Sequence, residues 1–217
     1  MRNRVALVTL LAGAAHAAAA AAAAGAEAES PRFEVGLRGS IVTAGGEPTN
    51  DMTAFGVFGR YRIDEKWRLG FGIESFGGDF ERPYELVGLA SPEELDSDLT
   101  TLLVTVWIDR LYGAPERRMR WFWSAGLGVA SPDADELTGP VTGGGTFDVT
   151  ADPGTELVIG VSGGVRWRLG QRFGLELGLR VDQHFADWTV TDRVSGQTGT
   201  VDDYTAKGAY LGAAWRF

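Results

Sequence analysis

Gly208-Ala-Tyr-Leu-Gly-Ala-Ala-Trp-Arg-Phe217, the final ten residues, read as a β-strand before anything else is known of the chain. Ala209, Leu211, Ala213, Trp215 and Phe217 fall on one side and Gly208, Tyr210, Gly212, Ala214 and Arg216 on the other, the two-residue period of an extended backbone. One face is apolar, the other small or charged. Any soluble sheet protein can finish on such a strand, so its weight depends on how many others share the pattern and on which face is buried.

Working backwards, the alternation recurs. Strand seven sets Phe173, Leu175, Leu177, Leu179 and Val181 against Gly174, Glu176, Gly178, Arg180, Asp182 and His184. Strand six sets Leu157, Ile159, Val161, Val165 and Trp167 against Gly160, Ser162, Gly164, Arg166 and Arg168. Strand five sets Met119, Trp121, Trp123, Leu127 and Val129 against Arg120, Phe122, Ser124, Gly126 and Gly128. Strand three opposes Trp67, Leu69, Phe71 and Ile73 to Arg68, Gly70, Gly72 and Glu74, and strand two opposes Phe55, Val57 and Tyr61 to Gly56, Arg60 and Arg62. Strand one opposes Phe33, Val35, Leu37 and Ile41 to Glu34, Gly36, Arg38 and Ser40. Strand four, Thr100 to Asp109, is ambiguous, because Leu102, Val104, Val106 and Ile108 compete with Leu103 and Trp107 for the outer face; the first set is favoured outward.

Eight strands result, each about as long as a tilted membrane strand needs to be. Their connections alternate. Ile63-Asp-Glu-Lys66, Tyr112-Gly-Ala-Pro115 and Leu169-Gly-Gln-Arg172 are short turns, whereas Ala44–Asp51, Gly77–Asp98, Ser131–Gly154 and Ala186–Asp203 are long loops rich in turn residues. Within the second loop Ser91-Pro-Glu-Glu94 predicts a short capped helix. Thr146-Phe-Asp-Val-Thr150 in the third has the pattern of a strand extension beyond the membrane.

Alternation alone does not say whether the apolar face points in or out. Volume does, because eight strands enclose only enough space for side chains to fill. Trp67, Phe71, Trp121, Trp123, Trp167, Phe173, Trp215 and the leucines of strand seven would overfill it. The opposite face is rich in Gly, Ala and Ser with sparse charges, which suits a narrow interior. Aromatic residues also gather near the short-turn ends, at Phe33, Tyr61, Trp67, Trp107, Trp121, Trp167, Phe173, Trp215 and Phe217, as in an interfacial girdle. The fold class predicted is all-β: an eight-stranded antiparallel up-and-down transmembrane β-barrel.

The N-terminus is a targeting segment. Arg2 and Arg4 precede the apolar Val5-Ala-Leu-Val-Thr-Leu-Leu11, and small residues follow as far as Ala28, the order of a secretory signal. Cleavage after Ala17 and after Ala28 both fit. Residues 1–28 are thus read as signal and 29–217 as the barrel domain. After residue 28 no run of about 18 apolar residues forms a membrane helix. With no cysteine, a disulfide framework is impossible. A formal net charge of −9 argues against nucleic-acid binding.

With strand count, turn asymmetry and terminal Phe217 in hand, the chain resembles small bacterial outer-membrane proteins of the OmpA transmembrane-domain and OmpX type. That resemblance covers everything after the signal and is architectural, with no invariant motif behind it. It implies an outer-membrane location in a Gram-negative bacterium, a monomer, and contact with outer-membrane lipids, lipopolysaccharide and the barrel-insertion machinery. Trp215 and Phe217 would supply the insertion signal, with Trp67, Trp121, Trp167 and Phe173 completing the girdle. Full-length OmpA carries a periplasmic peptidoglycan-binding domain, and no counterpart to it is expected after strand eight.

Three functions are open to such a chain. Glu34, Arg38, Arg60, Arg68, Glu74, Arg120, Arg166, Glu176, Arg180, Asp182, His184 and Arg216 share the predicted inner face. Mixed charges in a confined lumen must pair, which predicts a plug and a structural or surface-interaction role through the loops. A narrow solute channel would need those pairs to exchange. A lipid A-modifying enzyme would have to use His184, the only histidine outside the signal. Outer-membrane lipid A deacylases place a serine two residues from their histidine; here that position is Ala186, and His184 is expected to face inward. No enzymatic activity, cofactor or metal is expected. Lys207, outward near the loop end of strand eight, is the candidate lipopolysaccharide contact.

Overall fold

The computed structural model describes residues 32–45, 51–79, 87, 98–141 and 144–217. The expected signal and the Ser91–Glu94 helix lie outside those residues. Among the described residues there are twelve strands: β1 (Phe33–Gly45), β2 (Asp51–Arg62), β3 (Trp67–Asp79), β4 (Asp98–Tyr112), β5 (Met119–Ala134), β6 (Leu137–Pro140), β7 (Thr146–Asp152), β8 (Glu156–Arg168), β9 (Phe173–Phe185), β10 (Trp188–Asp192), β11 (Thr198–Val201) and β12 (Tyr204–Arg216). Eight of them close into a barrel in the order β1-β12-β9-β8-β5-β4-β3-β2, with β6, β7, β10 and β11 forming a separate sheet. All barrel pairings are antiparallel, so the expected up-and-down barrel is what forms. The seam joins the two ends of the barrel, pairing Glu34 with Arg216 and Val35 with Trp215.

Barrel strands run 12 to 16 residues, longer than the 9–11 or so that cross a bilayer, so they continue past the hydrocarbon. Two expected loops are not irregular. Within 131–154 the hairpin β6–β7 forms, and within 186–203 the hairpin β10–β11. They pair through β7 and β10, with Val190 opposite Ala151, into a four-stranded sheet ordered β11-β10-β7-β6. Phe147, Val149, Trp188, Val190 and Val201 are buried there, and burial of that apolar side is the reason the segments order. At the opposite end the turns are tight. The Asp64 carboxylate accepts from the Lys66 and Trp67 amides, both at 2.7 Å. Gly113 (φ +96°) and Gly170 (φ +113°) occupy the left-handed conformation that the other two turns require.

The faces are resolved without ambiguity. Trp121, Leu177 and Trp215 are 61%, 50% and 45% exposed, whereas Glu176 and Arg180 are 1% and 6% exposed. A water-soluble barrel would show the reverse, so the apolar belt is a lipid-facing surface. On β4, Val106 and Ile108 face out while Leu99, Leu103, Trp107 and Leu111 face in. Trp107, expected in the girdle, is therefore a lumen residue, placed there by the strand's parity.

Lumen aromatics explain many of the inner glycines. Trp107 lies in register with Gly70, Phe58 with Gly36, Tyr210 with Gly178 and Phe122 with Gly164. Three of the rings cover their glycine: a Cβ at Gly178 would sit 2.5 Å from the Tyr210 ring, and Cβ atoms at Gly70 and Gly36 would strike Trp107 and Phe58. The bare backbone thus makes room for a ring on the neighbouring strand.

Candidate functional site

The lumen is filled in tiers. At the turn end Glu34 and Glu176 are hubs. Glu34 accepts from Arg216 Nε at 2.8 Å, Arg68 Nη1 at 3.1 Å and Arg166 Nη1 at 3.4 Å. Glu176 accepts both Arg60 terminal nitrogens, at 2.7 and 2.8 Å, Arg166 Nη2 at 2.8 Å and Arg38 Nη2 at 3.3 Å. Arg166 therefore joins the two hubs. Arg60 Nε lies 2.9 Å from Asp109 Oδ2, but the approach is off-line, leaving a charge contact rather than an aligned hydrogen bond. Ser124 Oγ donates to the other Asp109 oxygen.

A second tier lies nearer the loops, where Arg180 binds Asp182 through Nε and Glu74 through Nη1, both at 2.7 Å. Between the tiers Arg38 stacks 4.4 Å over Tyr210 and 5.3 Å from both Phe58 and Trp107, contacts that stabilise a desolvated guanidinium. A cavity of about 50 Å³, bordered by Arg38, Glu74, Trp107, Arg180 and Tyr210, remains there, room for a few waters. The six arginines of these tiers are held by five carboxylates, Glu34, Glu74, Asp109, Glu176 and Asp182.

Above the charges the inner face turns apolar. Met52, Phe76, Leu99, Leu103 and Val158 pack with Trp188 and Val190 of the second sheet. At this level His184 Nδ1 lies 2.7 Å from Glu156 Oε2, Tyr204 donates to the same oxygen at 3.3 Å, and the His184 and Tyr204 rings stack at 4.5 Å. The imidazole is enclosed, and Ala186 stands where a nucleophile would be needed. Among the described residues no cluster of His, Cys, Asp and Glu is arranged to hold a metal.

Residues 7–217 match the family described as outer membrane protein beta-barrel domain. The chain belongs to this family. No curated protein sequence is a significant match. Among solved structures it is similar to Neisserial surface protein A, with a TM-score of 0.57 at 15% identity over 85% of this chain and 97% of that one. Similar too are OprG from Pseudomonas aeruginosa, at 0.53 and 10% over 87% and 97%, and AlkL, at 0.53 and 15% over 89% and 93%. These likenesses show a shared barrel fold.

Within this outer-membrane barrel, eleven of the twelve residues expected in the lumen network face the lumen, ten in the two charge tiers and His184 above them beside Glu156. Arg120 does not. It sits at the turn-end rim and donates to the Glu65 carbonyl at 2.9 Å. Asp109, Glu156 and Tyr204 belong to the lumen and were missed. Asp109 shares its parity with Leu103 and Trp107, which marks it as inward; Glu156 precedes by one residue the start expected for its strand.

On the lipid side the girdle is paired across strands. Phe33 meets Tyr61 at 5.0 Å, Trp67 meets Trp123 at 6.0 Å and Phe173 meets Trp215 at 6.5 Å. Trp121 and Phe217 stand exposed, and Trp167 is half-buried. Lys207 is exposed near the loop end of β12, opposite Thr43 and Val181.

Outside the membrane, Asp192 anchors the β10–β11 hairpin. Burial pushes its carboxyl up, but hydrogen bonds from Ser195 and from the Asp148 and Val194 amides outweigh that and hold it at about 2. The Arg193 guanidinium beside it binds Glu136 at 2.8 Å, which raises its own pKa.

Proposed function

We propose that this is a non-enzymatic integral protein of a Gram-negative outer membrane, delivered by a cleaved signal. Its lumen is plugged, and its loops form a structural or interaction surface at the cell exterior. One observation carries the reading: Glu34 and Glu176, from strands on either side of β12, hold arginines from five of the eight barrel strands, crossing the lumen, and an apolar layer closes it above. Solutes would have to break several charge-assisted hydrogen bonds at once. The turns and the girdle pairs then face the periplasm, and the β6–β7 and β10–β11 sheet faces outward.

The same reading makes the protein a monomer among outer-membrane lipids, with Lys207 extending to lipopolysaccharide phosphates. Refolded protein in planar bilayers should give no discrete conductance steps; stable unitary steps would replace the plug with a channel. Lipopolysaccharide association should weaken in Lys207→Ala, and unchanged association would remove that contact.

A further inference from the structure

Every lumen arginine has a carboxylate, whereas Arg110, on the lipid-facing wall, has none among the described residues. Arg110 shares the outward face of β4 with Val106 and Ile108, which are 50% and 37% exposed. It lies in register with Trp67 on β3 and with Trp123 on β5. Its guanidinium stands 5.2 Å from the Trp67 ring and 5.3 Å from the Tyr112 ring. The two tryptophans meet edge to face at 6.0 Å, and Trp123 Nε1 donates to the Tyr112 hydroxyl at 2.8 Å. Arg110 Nε is buried with no hydrogen-bond partner, and no described acid pairs with this side chain.

We infer that Arg110, Trp67, Tyr112 and Trp123 form a binding site for the phosphate of a glycerophospholipid in the leaflet at the turn end of the barrel. A cation on a lipid-facing wall is unfavourable unless it reaches the interface and meets an anion. Ring faces on two strands fix the plane of this guanidinium, and a fixed plane of donors suits two phosphate oxygens. Tyr112 adds a donor: its oxygen accepts from Trp123, so its own hydrogen is free. The acyl chains would lie along Leu69, Val106, Ile108 and Leu127, all exposed apolar residues of the same three strands. Lipopolysaccharide occupies the opposite leaflet in the orientation proposed above, so a phospholipid is the occupant that geometry allows.

The test uses the full chain refolded in neutral detergent, with heat-modifiable gel mobility confirming the closed barrel. Native mass spectrometry then follows retention of added phosphatidylglycerol. Wild type should hold one phospholipid that survives activation, and Arg110→Gln should hold it about tenfold more weakly, the loss expected for a charged hydrogen bond. Tyr112→Phe, which keeps charge and ring, should weaken it by a smaller factor, and it decides the matter if the glutamine variant does not fold. Excess inorganic phosphate should not displace the lipid. Equal retention by wild type and both variants would overturn the site, and displacement by inorganic phosphate would show a simple anion pocket in place of a lipid site.

Discussion

Replacing Glu176 by Gln is the sharpest probe of the plug. The carboxylate receives two nitrogens of Arg60 and one each of Arg166 and Arg38, at 2.7 to 3.3 Å, and is 1% exposed. Glutamine keeps one acceptor and turns the other oxygen into a donor facing arginine donors. The turn-end tier then holds Arg38, Arg60, Arg68, Arg166 and Arg216 against Glu34 and Asp109 alone. Charged hydrogen bonds are worth about 1.5–3 kcal/mol each, but Arg166 retains Glu34 and Arg60 retains Asp109. The net cost should thus be that of one broken buried pair, about 3–5 kcal/mol. Urea titration in lipid vesicles, followed by tryptophan fluorescence, should show that loss as a lower midpoint at unchanged slope. Arg60→Met in the Glu176→Gln background should cost less than the sum of the single changes, because it removes one of the stranded cations. A destabilisation below about 1 kcal/mol, or additivity within about 0.5 kcal/mol, would refute the claim that Glu176 organises the lumen.

Gly178→Ala should destabilise by about 1–3 kcal/mol through overpacking, since the added carbon meets the buried Tyr210 ring at 2.5 Å; the same titration measures it, and a neutral result would mean that the ring moves freely. His184→Ala should leave the lipid A mass profile unchanged, whereas a shifted profile would assign catalysis to the enclosed His184–Glu156 pair. Asp192 has a folded pKa of about 2, below the usual value near 3.9. Its contribution to the β10–β11 hairpin is therefore complete above about pH 4 and lost as pH falls through about 2. Hydrogen exchange at the Val194 and Ser195 amides should accelerate across that window but not between pH 7 and 5.

Much of this architecture is legible in the chain because a barrel that meets lipid outside and charge inside imposes opposite chemistry at every second residue. Strand seven of the sequence reading, with its leucines against Glu176, Arg180 and Asp182, is β9 with the same faces. β4 is harder, because its inner face enters the apolar layer: Leu103 and Trp107 look as lipophilic as Val106 and Ile108, and Asp109 was overlooked beside them. The inner glycines signalled small volume but not its occupant, since a ring seated on a glycine comes from the adjacent strand and only register reveals it. The second sheet was hidden for a related reason. Each hairpin has few apolar positions of its own, such as Phe147 with Val149 and Trp188 with Val190, and these gain burial only when the two hairpins, some forty residues apart in the chain, come together over the lumen.

The β1–β12 seam also governs assembly. Phe33 and Phe217 exchange backbone hydrogen bonds, the Phe217 amide donating at 2.9 Å and the Phe33 amide at 3.5 Å. The contact that turns a curled ribbon into a cylinder therefore joins residues 184 apart in the sequence, where loop-closure entropy is high and formation is slow. Until it forms, β1 and β12 are both raw edges able to recruit a strand from another chain, and whatever shields them in that interval decides between one finished cylinder and an aggregate.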